Sequence, residues 1–193
     1  MQTRALGKMI FNNPNRHVVK LNNNDIELVL QFCNKCRDLG LENNSSLEKM
    51  KWYQGVWFAA VDNNEIYSIA GYHKLDLDEN SYRVLFRGAQ LPKYNPNKMS
   101  KNYSTNSIHW SYLLLEQVKE ITQYDPNAKL YISTNAYKNN DAPSSYRLTR
   151  TIAPLMVKRG VITLEHEGIE LYHTTQNLYR LNVTEYLNQL NSV

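Results

Sequence analysis

The chain has 193 residues, 42% of them hydrophobic and 21% charged, with a formal net charge of +4. That length suits one domain with a sizeable core, and no apolar run approaches the roughly 20 residues of a membrane span. The start "MQTRALGKMIF" lacks the apolar stretch and small-residue cleavage site of a signal peptide, so a cytoplasmic protein with no membrane partner is expected.

"RHVVKL" (Arg16 to Leu21) predicts a short strand. Asn24 or Asp25 is expected to cap the helix that follows, with Ile26, Val29, Leu30, Cys33 and Cys36 on its apolar side and Gly40 near its end. A second, shorter helix is expected from about Ser45 to Gln54, capped by Ser45 or Ser46. "VWFAAVD" and "EIYSIAGYHKL" then read as strands joined by a hairpin at Asn63-Asn64. "YRVLFRGA" adds a third strand, so residues 56–90 form an antiparallel meander.

A polar loop follows, and then "IHWSYLLLEQVKEITQY" carries Trp110, Leu114, Val118 and Ile121 at helical spacing. "KLYIST" reads as a buried strand. "DAPSSYRLTRTIAPLMVKRG" reads as a helical segment that Asp141 or Ser144 could cap and Gly160 could end, with Pro154 inside it as a kink or break. "VITLEH" and "IELYHTTQNLYRL" form a last hairpin expected to turn at Glu167-Gly168, and "NVTEYLNQL" a short terminal helix. The order β-α-α-β-β-β-α-β-α-β-β implies one α/β domain over residues 1–193, with a mixed, mostly antiparallel central sheet and helices on both faces.

Asn clusters such as "NNPN" and "LNNNDI", together with 14 tyrosines, reflect AT-rich codons, as in many bacteriophage genomes. Cys33 and Cys36, in "CNKC", sit inside a predicted helix. A redox pair normally opens one, and no second Cys/His pair completes a zinc site, so both are expected to be structural thiols. No spacing supports a metal or a Ser-His-Asp triad. Basic residues are spread out, with loose groups at Lys93, Lys98 and Lys101 and at Arg147, Arg150, Lys158 and Arg159. Nucleic acid is therefore a possible partner that the charge does not indicate.

The element order resembles that of the GNAT (Gcn5-related N-acetyltransferase) family across nearly the whole chain. "WFAAVDNNEIYSIAGYHKL" looks like the family's second and third strands, "YRVLFRGAQLP" like its fourth, and "KRGV" (Lys158 to Val161) like the end of its fourth helix. The resemblance implies acyl transfer, in the first place acetyl transfer, from acetyl-CoA or another acyl-CoA to the amine of a small-molecule or macromolecular acceptor, without a metal.

It also implies site residues. Ala89, Gln90 and Leu91 would hold the pantetheine arm with strand amides. Lys101, Ser104, Thr105, Asn106 and Ser107 would meet the phosphates at the start of the central helix, where amides and the helix dipole favour anions. Arg87 and Asn135 would contact the acceptor, and Tyr146 and His73 are the candidate proton-transfer groups.

Two positions depart from the family pattern. No glycine lies between Gln90 and Trp110, where a Q/R-x-x-G-x-G/A loop is usual, and Met156 stands where many members place a Tyr. Two other readings therefore stand beside acyl transfer. One is a transferase on this framework that uses tRNA or modified phage DNA. The other is a catalytically inactive binding or inhibitory protein.

Overall fold

The computed structural model describes residues 16–38, 55–90, 107–135, 152–171 and 174–191. The expected helix at 45–54 and the caps at Asp141 or Ser144 lie outside them. In chain order the elements are β1 (Arg16–Lys20), a 3-10 turn (Asn23–Asp25), α1 (Ile26–Asp38), β2 (Val56–Asp62), β3 (Glu65–Lys74), β4 (Ser81–Gln90), α2 (Ser107–Tyr124), β5 (Lys129–Asn135), α3 (Ala153–Lys158), β6 (Ile162–Leu171), β7 (Thr174–Leu181) and α4 (Val183–Asn191). The strands form one seven-stranded sheet in the order β1-β2-β3-β4-β5-β7-β6. Every pair is antiparallel except β4 with β5.

Local chemistry accounts for the boundaries. Asn22 begins the first helical segment: its side chain accepts from Asn24 N at 2.8 Å, and Asp25 Oδ2 accepts from Asn22 N at 2.8 Å. This reciprocal capping box sits two residues before the expected cap, because only Asn22 has the extended backbone a cap requires (φ −135°, ψ −178°). On α1 the buried residues are Val29, Phe32, Cys33 and Cys36, the i, i+3, i+4, i+7 set of one helical face. Ile26 and Leu30, expected on that face, are exposed. Phe32 takes their place in the packing. Cys33 and Cys36 are buried and form no disulfide.

The β2–β3 hairpin turns at Asn63 and Asn64, whose φ values of 50° and 63° are those of a primed two-residue turn. Residues 57–62 and 66–73 are buried in succession, so both faces of the sheet are covered at β2 and β3. α2 covers one of these faces. Its Leu113, Leu114, Val118 and Ile121 join the main core with Phe58 and Val84, and Glu120 Oε1 accepts from Tyr72 OH at 2.8 Å and from Lys20 Nζ at 2.7 Å.

α3 ends as expected. Gly160 (φ 72°) donates to Val157 O at 2.9 Å and Val161 N to Met156 O at 2.9 Å, which together make a Schellman motif. The break expected at Pro154 falls at the start of α3: Pro154 lies in its first turn, where its missing N–H costs nothing, and Ile152 before it has helical backbone (φ −76°, ψ −51°). The last hairpin does not turn at Glu167-Gly168. Gly168 (φ 66°) instead lies within β6, inside the register shift between His166 and Ile169 against β7, and donates to Asn177 Oδ1 at 2.9 Å. Its left-handed backbone accommodates a bulge, so β6 runs on to Leu171.

Candidate functional site at the parting of β4 and β5

β4 and β5 are parallel neighbours for only three rows: Ser81 with Lys129, Tyr82 with Leu130, and Arg83 with Tyr131. Beyond that, among the described residues, β4 continues to Gln90 on β3 alone and β5 to Asn135 on β7 alone. The two strands part, and a gap opens in the middle of the sheet.

Polar contacts fasten the closed end. Asp78 Oδ2 accepts from Lys129 Nζ at 2.7 Å, and Asp78 Oδ1 from Ser81 Oγ at 2.8 Å and Asn80 N at 3.0 Å. Lys129 N donates to Asn80 O at 2.7 Å, and Asn80 Nδ2 reaches the Asp125 carboxylate at 3.0 and 3.1 Å. The hydrogen bond from Lys129 is the first cause that lowers the Asp78 carboxyl to about 2. Asp78 is thus a clamp that ties the β3–β4 turn to the start of β5.

The parting begins at Leu85, whose φ of 52° is unusual for a branched side chain. Between the paired rows His73–Arg83 and Gly71–Phe86, β4 has two residues, Val84 and Leu85, and β3 has one, Tyr72. The regular alternation of a strand is interrupted there. The Leu85 N–H donates to Gln117 Oε1 on α2 at 2.9 Å. Gln117 is fully buried, and its Nε2 has no partner among the described residues. Across the gap on β5, the hydroxyls of Ser133 and Thr134 are likewise buried without a partner among the described residues. Buried polar atoms are nearly always hydrogen-bonded in folded proteins, and strand alternation puts Thr134 on the face of Leu130 and Ile132 and Ser133 on the face of Tyr131.

On the face away from α2, a polar row crosses the closed end. His73 stands opposite Arg83, Arg83 beside Tyr131, and Tyr131 opposite Arg180. Tyr131 belongs to a small second core with Leu75 and Leu178, whereas its neighbours Leu130 and Ile132 face the main core. Its hydroxyl donates to Glu165 Oε2 at 2.8 Å, and the Arg180 guanidinium lies 5.5 Å over its ring. Burial, with the Glu165 hydrogen bond second, holds the Tyr131 phenol above its ordinary range.

His73 is 7% exposed, and its Nδ1 lies 2.6 Å from Lys74 O. Burial lowers its pKa to about 4; the Lys74 carbonyl opposes this and the Arg83 charge adds to it. The imidazole is therefore neutral at neutral pH.

The residues expected from sequence fall in several places. Arg87, Ala89 and Gln90 lie on the length of β4 beyond its pairing with β5, Asn135 ends β5 opposite Gln176, and Ser107 opens α2. His73 joins the polar row at the closed end. Leu91, Lys101, Ser104, Thr105, Asn106 and Tyr146 lie outside the described residues. Sequence reading passed over Gln117, Ser133, Thr134, Tyr131 and Glu165. A glutamine amid the apolar face of "SYLLLEQVKEI" was the one visible signal for Gln117. Among the described residues no group of three or more His, Cys, Asp or Glu side chains could hold a metal ion, and no helix is long and apolar enough to cross a membrane.

In sequence the chain matches no protein-family model and no curated protein. In structure it is similar to the aminoglycoside 6'-N-acetyltransferase from Enterococcus faecium, with a TM-score of 0.55 and 12% identity over 85% of this chain and 95% of that one. It is also similar to a protein from Desulfovibrio desulfuricans assigned to the GNAT acetyltransferases, with a TM-score of 0.51 and 13% identity over 87% and 99%. The ribosomal-protein-S18-alanine N-acetyltransferase from Escherichia coli gives 0.50 and 10% over 86% and 92%. At such identities the likeness is one of architecture, and it agrees with the strand order and the parted central pair: the chain has a GNAT-like fold.

Proposed function

We propose that the protein is an acyl-CoA-dependent N-acyltransferase that moves an acetyl group from acetyl-CoA, or another acyl group from its CoA thioester, to an amine. The observation that carries this reading is the parting of β4 and β5 after Arg83 and Tyr131. It leaves two strand edges facing a gap in the middle of a sheet, and a chain with amide groups can fill such a gap as a partial strand does. A pantetheine arm has that chemistry. Gln117 Nε2 and the Thr134 hydroxyl, buried without partners among the described residues, fit such a ligand and not an apolar one.

In this reading the edge amides of β4 toward Ala89, Gln90 and Leu91 hold the arm. Ser107 and the residues before it (Lys101, Ser104, Thr105, Asn106) receive the phosphates at the start of α2. The acceptor enters from the face of the polar row, with Arg87 and Asn135 at the gap's margins. The amine lone pair attacks the thioester carbonyl carbon, the C–N bond forms, and the C–S bond breaks with its electron pair moving to sulfur. The amine gives up a proton and the sulfur takes one, leaving as the thiol. A neutral His73 is a weak proton acceptor near the closed end, and Tyr146 is the candidate donor to sulfur. With so depressed a histidine, bringing amine and thioester together supplies most of the rate. The Asn- and Tyr-rich composition supports a bacteriophage origin and a place of action in the host cytoplasm.

A thermal-shift titration with acetyl-CoA, coenzyme A and a short single-stranded DNA, at low and high salt, tests the reading. Saturable stabilisation by acetyl-CoA is expected. No response to either CoA form at millimolar concentration would sink it, and salt-sensitive stabilisation by DNA alone would turn the function toward nucleic acid.

A further inference from the structure

We propose that Gln117 is the side chain that recognises the thioester carbonyl, with its Nε2 donating to the carbonyl oxygen; the inference rests on the acyl-CoA reading above. Gln117 lies mid-helix among Leu113, Leu114, Val118 and Ile121, all buried, where packing alone calls for an apolar residue. Its orientation is fixed by chemistry. The bulge at Leu85 frees an N–H for the helix, and Gln117 Oε1 accepts it at 2.9 Å. An amide whose oxygen is so engaged presents only N–H donors elsewhere, and this Nε2 has no partner among the described residues.

The position matches the reacting end of the ligand. Leu85 is two residues past the last row that β4 shares with β5. At roughly 3.3 Å per residue it stands about 16 Å down β4 from Gln90, where the gap is open. An arm anchored by its phosphates at the open end extends its thioester to this level. On β5 the Thr134 hydroxyl, on the strand face shared by Leu130 and Ile132, is also buried without a partner among the described residues. A carbonyl oxygen is the partner a lone N–H donor lacks, and this one gains negative charge as the amine attacks. A donor fixed beforehand by its bond to the strand favours that change.

The test compares acetyl-CoA, which carries the carbonyl, with coenzyme A, which does not. Gln117→Met removes the donor, keeps the side chain's length and leaves a thioether, a weak acceptor, toward the Leu85 N–H. We expect its affinity for acetyl-CoA to fall about tenfold while its affinity for coenzyme A changes less than about twofold. In the unsubstituted protein the Gln117 side-chain amide resonances should shift with acetyl-CoA and stay in place with coenzyme A, a measurement that does not depend on the variant folding. Equal effects on both ligands, or resonances that move with neither, would show that Nε2 faces a buried water and would overturn the inference while leaving acyl-CoA binding intact. Failure of the unsubstituted protein to bind either ligand would remove the acyl-CoA reading itself, and the role of Gln117 with it.

Discussion

Acidification from pH 7 to pH 5 should cost this protein stability through one histidine. In the unfolded chain His73 titrates near 6.5, whereas in the fold burial, reinforced by Arg83 opposite, lowers it to about 4. Between those values the unfolded state holds a proton that the folded state refuses, so stability falls as pH falls. The contribution is fully present above about pH 6.5 and is lost as pH drops toward 4. The two titrations give a loss of about 2 kcal/mol at pH 5 and about 3 kcal/mol at pH 4. The assay is urea unfolding with linear extrapolation at pH 7 and pH 5 for the protein and for His73→Gln, which stays polar and cannot titrate. The unsubstituted protein should lose about 2 kcal/mol more than the variant between the two pH values. Curves that fall in parallel would show that His73 accepts its proton in the folded state, and the argument from burial would be wrong.

Further predictions concern packing and the gap. At Gly71 an added Cβ would meet Trp57 Cδ2 and Cε3 and Val56 O, each at 2.9 Å, so Gly71→Ala should destabilise by about 1–3 kcal/mol in the same urea assay. Asn64 (φ 63°) sits at the second turn position of the hairpin, so Asn64→Gly should raise stability by a few tenths of a kcal/mol or more, seen as a higher melting temperature. Thr134→Val removes a buried hydroxyl that lacks a partner among the described residues. It should leave the melting temperature without ligand unchanged or higher and reduce the extra stabilisation that acetyl-CoA brings, as read by thermal shift.

The sequence by itself determined which segments fold and in what order. Alternating and helical apolar periods marked seven strands and the two longest described helices, Asn63-Asn64 marked a turn whose backbone needs residues tolerant of positive φ, and Gly160 marked a helix end for the same reason. These signals are local, carried by residues within one or two turns of each other. Gly168 misled because a left-handed glycine serves a bulge as well as a turn, and only the pairing of β6 with β7 distinguishes the two. The gap was decided by tertiary structure. It requires β4 and β5, nearly forty residues apart in sequence, to pair for three rows and then part, with Gln117 on a third element taking up the amide that the Leu85 bulge releases. No single segment records that arrangement, because each of its groups is ordinary until another segment is packed against it: a glutamine on a helix, a leucine in a strand, two hydroxyls near a strand end.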